Sequence, residues 1–289
     1  MSDHLLIKRM AIMGVGLIGG SLALALKEAG AVGEVIGCGR GKPNLEKAVE
    51  LGIIDRYTRD PREAVADADL IFLATPVKTL GAVVEQCLPA IKAGAIITDG
   101  GSVKAEVVRH IEPLLPDVIH FVPGHPIAGT EQSGAEAAFA GLYRGKRCIL
   151  TPTAKTDPQA LALIEQMWQL AGSIVVKMPM DKHDRILAAI SHLPHMVAYS
   201  LVNAVGSYDH YEENILEYSA GGFRDFTRIA SSDPTMWRDI AETNREALLE
   251  MMEQFEVFFA ELKADVAAGD GDKLFEFFLR SKQMRDAIL

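Results

Sequence analysis

From Ile7 to Met178 the chain alternates short apolar runs with helix-length amphipathic stretches. That alternation is what parallel strands joined by crossover helices on both faces of a sheet produce. Arg9–Met13, Glu34–Cys38, Leu70–Ala74, Ala95–Asp99, Val118–Val122, Arg147–Thr151 and Ile174–Met178 are the predicted strands, several of them continuously apolar, as strands buried on both faces should be. Helix starts are marked as clearly. Asp60-Pro61-Arg62-Glu63 offers a capping side chain, a proline at the first helical position and a glutamate placed for a capping box, and Asp157-Pro158 repeats the first two. After Met178 the strand signals stop, which predicts a doubly wound α/β domain over residues 1–178 and an all-α domain over 179–289. In that second half, Asp233-Pro234 opens a stretch with no breaker before Ala268, carrying Leu248, Met252, Phe255, Phe259 and Leu262 at helical spacing. Such a stripe has to be covered, and in the outer half of a two-domain chain it predicts a subunit interface.

Composition narrows the function classes. A chain of 289 residues with 49% apolar and 24% charged residues is an ordinary globular protein of about two domains. Its 29 basic and 39 acidic residues give a formal charge of −10, so the surface as a whole repels nucleic acid and anionic membranes, and an anionic ligand needs a local basic pocket. Cys38, Cys87 and Cys148 are odd in number and far apart, which fits neither a disulfide framework nor a cysteine-rich zinc site and points to a reducing cytoplasm. Lys8 and Arg9 before the uncharged run Met10–Leu26 superficially resemble a signal peptide, but Gly14, Gly16, Gly19 and Gly20 break that run at positions with a better explanation. No other segment reads as a membrane candidate.

That explanation is Gly14-Val15-Gly16-Leu17-Ile18-Gly19, which follows an apolar strand and opens a helix. The first glycine permits the tight turn, the second lets backbone N–H groups, with those of Leu17 and Ile18, approach a pyrophosphate, and the third allows close helix–sheet packing. The second strand ends in Gly37-Cys38-Gly39-Arg40-Gly41-Lys42, without the acid that binds the ribose hydroxyls of NAD. Arg40 and Lys42 stand where a 2′-phosphate would lie, so NADP is permitted, while an arginine stacked on adenine leaves NAD acceptable. Ligands in such sheets lie beyond the carboxyl ends of the strands, which brings in Thr75-Pro76, the Gly100–Lys104 segment and the loop Gly124–Glu131. His125, held between Gly124 and Pro126, suits a proton acceptor. Its ordinary pKa near 6.5 predicts activity that rises between about pH 5 and 8.

These segments, with Ser191-His192-Leu193-Pro194-His195 and Gly222-Phe223-Arg224-Asp225-Phe226-Thr227-Arg228-Ile229-Ala230, together resemble the prephenate and arogenate dehydrogenase family of tyrosine biosynthesis over nearly the whole chain. The resemblance implies a Rossmann domain followed by a helical dimerisation domain. It implies oxidative decarboxylation of prephenate to 4-hydroxyphenylpyruvate, of arogenate to tyrosine, or both. It makes His125 the base for the ring hydroxyl and Ser102 the partner that orients His125 or that hydroxyl. His195 and Arg228 become substrate-binding residues, with Arg228 the natural fork for a carboxylate, and Thr130, Glu131, Arg224 and Trp237 complete the pocket. Glu131 either shapes the entrance or pairs with Arg224.

No metal is required by this chemistry, and the pair His192 and His195 reads as one structural histidine plus one facing the cleft, since no His-Glu-x-x-His pattern or convergent carboxylate accompanies it. Two rivals stand beside this reading. A β-hydroxyacid dehydrogenase would need a lysine base in the helical half, where Lys182 beside His183 lacks the expected surrounding motif. A non-catalytic dinucleotide sensor would leave His125 and Arg228 unexplained. With no chorismate mutase segment before Met10 and no βαββαβ-like stretch before Leu289, the expectation is a monofunctional, cytoplasmic homodimer.

Overall fold

The computed structural model describes residues 5–208 and 215–288. The first half supplies nine strands: β1 (Ile7–Met13), β2 (Val32–Cys38), β3 (Arg56–Thr58), β4 (Leu70–Leu73), β5 (Ile96–Asp99), β6 (His120–Val122), β7 (Gly124–Pro126), β8 (Arg147–Leu150) and β9 (Ile174–Lys177). Six helices interleave them: α1 (Leu17–Glu28), α2 (Lys42–Glu50), α3 (Pro61–Val65), α4 (Leu80–Cys87), α5 (Lys104–Ile111) and α6 (Pro158–Leu170). Strands β3-β2-β1-β4-β5-β6 form one sheet in that order, all parallel, so the strand order reverses between β1 and β4. Met13 lies opposite both Cys38 and Leu73, and Leu73 lies opposite Asp99. One row across the sheet thus marks its carboxyl edge, and the chain leaves that edge at Gly14, Gly39, Ala74 and Gly100. Both faces are buried: Leu22, Leu26, Phe72 and Trp168 belong to one core, and Val84, Ile97, Val107 and Ile111 to the other.

The predicted seven strands do not share a single sheet. β8 and β9 leave the main sheet and join β7 in a second, three-stranded one, with β7 antiparallel to β8 and β8 parallel to β9. The cause lies at Pro123, which has no N–H to give a ladder; β6 ends before it, and the strand changes partner there. The segment expected as a loop around His125 is therefore strand β7, with His125 paired to Ile149. This fixes the imidazole on a strand.

The described part of the second half is helical, in α7 (Met180–Leu187), α8 (Leu193–Tyr208), α9 (Gly221–Thr227), α10 (Pro234–Thr243), α11 (Arg245–Ala268) and α12 (Gly271–Asp286). A π turn, Ala188–His192, joins α7 to α8 just before Pro194, whose missing N–H an α-helix could not accommodate without a break. By length and composition alone the run Met180–Tyr208, with a mean hydropathy of 1.2 in its most apolar window, could cross a membrane, a candidate absent from the sequence reading. Its His183, Asp184 and His192 are nonetheless buried in the protein. The unbroken helix expected after Asp233 is interrupted at Asn244, which is 5% exposed and whose side-chain amide donates to the carbonyl of Asp184 at 2.8 Å. Of the apolar stripe, Leu248 is buried, but Phe255 and Phe259 are 38% and 57% exposed, and Phe258, Phe275 and Phe278 are exposed beside them.

Candidate active site

The glycine loop is built for a close ligand. Gly14 has a φ of +102°, and a Cβ there would lie 2.7 Å from the carbonyl oxygen of Ala74, so only glycine fits. A Cβ at Gly19 would lie 2.5 Å from the carbonyl oxygen of Gly14, which is how α1 comes down onto β1. At Gly16, the residue before α1, a Cβ would meet nothing within 4 Å, and no side chain caps the helix. An open backbone cradle at an uncapped helix N-terminus fits a dinucleotide pyrophosphate. Leu17 is buried, and the Ile18 carbonyl accepts from the Tyr143 hydroxyl at 2.6 Å. Thr75 packs against Gly14, and Thr79 bonds both Thr75 and the carbonyl of Pro76. Arg40 is exposed just beyond the end of β2, while Lys42 pairs with Glu46 at 3.2 Å.

Beyond β5 the floor of the crevice is dry. Asp99 and Lys104 are both fully buried, with the ammonium on the carboxylate and also donating to the Gly124 carbonyl at 2.7 Å. The same carboxylate accepts the backbone N–H groups of Gly101 (2.9 Å) and Gly124 (3.1 Å). One ion pair therefore binds the Ser102 turn to the strand that carries His125. Leaving either partner alone in this low-dielectric site would be costly.

His125 is 9% exposed, and its Nδ1 lies 2.9 Å from Nε2 of His183. His183 in turn places Nδ1 2.7 Å from Oδ1 of Asp184. Asp184 accepts the backbone N–H groups of Lys104 (2.8 Å) and Ala105 (2.9 Å), so a carboxylate of the helical half caps α5 of the first. Neither His183 nor Asp184 was among the expected site residues. Ser102, expected to orient either His125 or the substrate hydroxyl, makes no side-chain hydrogen bond to a described residue; His183 holds the imidazole instead. Burial, and next the charges of His183, Lys104 and His192, hold His125 well below its ordinary pKa. The expected rise of activity with pH thus moves below the neutral range, because His125 is already neutral there. Burial raises the Asp184 pKa, but the hydrogen bonds from His183, Lys104 and Ala105 outweigh it and leave the carboxyl below its usual range.

The rim is wet by comparison. His195 donates from Nδ1 to the Ser191 carbonyl at 2.8 Å and stacks on Trp237 with ring centroids 3.7 Å apart. Trp237 is buried, and its indole N–H has no partner among the described residues. Glu131 pairs with Arg228 at 2.8 Å, and Arg224 bonds the Ser219 hydroxyl instead. Thr130 is exposed and accepts from the Gln132 N–H at 3.2 Å. His192 is fully buried and lies 3.0 Å from the Asn244 amide nitrogen, apart from the half-buried His195. Lys182 is exposed while His183 beside it is buried.

Comparison with known proteins gives a consistent picture. Family models for the nucleotide-binding and dimerization domains of prephenate dehydrogenase match residues 22–177 and 179–280. Cyclohexadienyl dehydrogenase of Zymomonas mobilis is 40% identical over 97% of this chain and 96% of its own. Prephenate dehydrogenase of Bacillus subtilis is 37% identical over 96% of this chain and 75% of its own. The crystal structure of prephenate dehydrogenase from A. aeolicus in complex with hydroxyphenyl propionate and NAD+ has 38% identity and a TM-score of 0.91 over 98% of both chains.

Proposed function

This chain belongs to the prephenate dehydrogenase family and is a dehydrogenase, and on that premise we propose that it oxidatively decarboxylates prephenate, arogenate, or both, in tyrosine biosynthesis. The observation that carries the assignment of roles is His125: a buried imidazole at the carboxyl edge of the sheet, bonded through Nδ1, with Nε2 bonded to no described residue. Nε2 takes the proton of the ring hydroxyl as the carbon beneath gives up hydride. A dinucleotide bound at Gly14, Gly16, Leu17, Ile18, Gly19, Thr75 and Pro76 supplies the hydride acceptor. The ring carboxylate then leaves as CO₂, its bonding pair flows through the ring onto the oxygen, and that oxygen recovers the proton from His125 to give a phenol. His125 thus returns to its neutral state within one turnover.

Ser102 has a free hydroxyl for the ring oxygen, now that His183 occupies Nδ1 of His125. Arg228 takes a substrate carboxylate, with His195, Trp237, Thr130, Glu131 and Arg224 shaping the rim. Arg40 permits NADP as well as NAD. Residues 1–178 hold the cofactor, and 179–289 complete the pocket and join two copies through the exposed phenylalanines of α11 and α12, in a cytoplasmic enzyme that uses neither nucleic acid nor membrane. The test is nicotinamide reduction followed by absorbance, with prephenate or arogenate against NAD or NADP. Turnover in one or more of the four combinations is expected and reads out both preferences. Silence in all four, from folded protein that binds dinucleotide, would leave a dinucleotide sensor as the better reading.

A further inference from the structure

Two features of the buried floor have no role in the steps above: a second imidazole behind His125 and a carboxylate behind that. Their proton positions follow from donors whose direction is fixed. Backbone N–H groups can only donate, so the N–H of Lys104 and that of Ala105 make both oxygens of Asp184 acceptors. An ionised Asp184 leaves His183, which burial keeps neutral, to donate from Nδ1, and its Nε2 is then an acceptor. His125 must then donate from its own Nδ1, and its Nε2 is left with the lone pair. The opposite arrangement requires a neutral carboxyl at the N-terminus of α5, where the helix favours a negative charge.

We propose that Asp184, acting through His183, is a positioning residue that holds His125 in the Nδ1-protonated form and shares the positive charge that Nε2 acquires from the substrate hydroxyl. The inference rests on His125 being the base. Proton balance is unchanged by it: one proton moves from the hydroxyl to Nε2 and back to the ring oxygen, while the protons on the two Nδ1 atoms lean toward Asp184 without leaving. Because His125 stands on β7 and His183 and Asp184 on α7, the base is competent only when the two halves of the chain are docked as they are here. That couples the chemistry to the packing of α7 on α5.

Asp184→Asn tests the direction of the chain with little change of shape. The NH₂ has to replace one oxygen: at the Oδ1 position it faces His183 and the Lys104 N–H, reversing both imidazoles and placing a proton on Nε2 of His125, and at the Oδ2 position it faces only the Ala105 N–H; in both cases the negative charge behind His183 is gone. In serine hydrolases the corresponding change costs about 10⁴-fold in kcat by the same tautomer error. The expectation here is a fall in kcat of at least about 10-fold from the lost charge, and of about 100-fold or more where the ¹⁵N spectrum of labelled histidine shows His125 protonated at Nε2, with KM and dinucleotide affinity within about 3-fold. A kcat within about 3-fold of wild type overturns the proposal. If the variant does not fold because α5 loses its cap, His183→Gln takes its place. The glutamine carbonyl can accept from His125 Nδ1 but shares no charge, so kcat should fall about 10-fold at constant KM, and an unchanged kcat overturns the proposal equally. His125→Ala, measured alongside, separates the two readings. If it is inactive while both other variants are fully active, only the positioning role fails; if it is active, the assignment of the base fails with it.

Discussion

The floor and the rim of the crevice are made from the same kinds of side chain and behave differently. On the floor, Asp99, Lys104, His125, His183 and Asp184 are all buried, each bonded to another member or to the backbone. On the rim, Arg228 and Glu131 have side chains 60% and 38% exposed. Water screens the charges of the second group from one another; burial removes that screening from the first, so its geometry is set by the protein. The proposed function puts chemistry on the floor and recognition on the rim. The sharpest test is His125→Ala, expected to lower kcat by a factor of about 10² to 10⁴ while fluorescence titration shows dinucleotide still bound. Normal turnover would move the chemistry elsewhere. Next in size is Lys104→Met, which leaves the buried Asp99 carboxyl with only the N–H groups of Gly101 and Gly124; a loss of about 3–5 kcal/mol in chemical denaturation is expected, and a loss near zero would mean that the pair does not hold the floor together.

The two regions also differed in how far they could be read beforehand. The glycine loop was legible because its logic is local: strand, turn and helix lie within Ile7–Glu28. β7 was not, because Gly-His-Pro contains two residues that ordinarily end strands and is held extended only by pairing with β8, more than twenty residues on. β3, three residues at the sheet edge, has too little pattern to show. His183 and Asp184 are unremarkable polar residues at a helix start until α7 packs on α5, since their partners His125 and Lys104 are 58 and 80 positions away. The break at Asn244 had no local cause, the asparagine being committed to Asp184 and His192 instead. On the rim, which acid meets which arginine was undecidable from sequence, because Glu131 and Arg228 are 97 positions apart.

Acid should strike the floor first. Burial holds His125, His183 and His192 below the ordinary histidine value, His192 at about 4, so all three are neutral in the folded protein at neutral pH. Below about pH 6.5 the unfolded chain takes up protons that these rings refuse, so stability falls with pH in that window and is independent of them above it. For His192 alone the loss by pH 4 is at most about 3 kcal/mol. Denaturant titrations at pH 7.5, 6 and 5 check this; constant stability would show the rings protonated inside the fold. The rim answers to a different change. Arg228→Ala should raise KM roughly 10-fold or more while kcat stays within about 3-fold, because it removes the charge-assisted contact proposed for the substrate carboxylate. An unchanged KM would remove Arg228 from the pocket.

Glu131→Gln carries the smallest expected effect and divides floor from rim most finely. Glu131 holds the guanidinium that the proposed function assigns to a substrate carboxylate. An exposed pair of this kind is worth only about 0.2–1 kcal/mol, so removing its charge costs little in stability. If the pair competes with the substrate, the glutamine should lower KM by up to about 5-fold, with the gain shrinking as salt rises because screening already weakens the pair. If Glu131 instead aims Arg228 at its ligand, KM should rise, since the guanidinium then loses the partner that holds it in place. Neither case should alter kcat or its pH dependence, because no buried group of the floor bonds to this pair among the described residues. A change in kcat larger than about 3-fold would show that rim and floor are one electrostatic unit, and the division between recognition and chemistry would have to be given up.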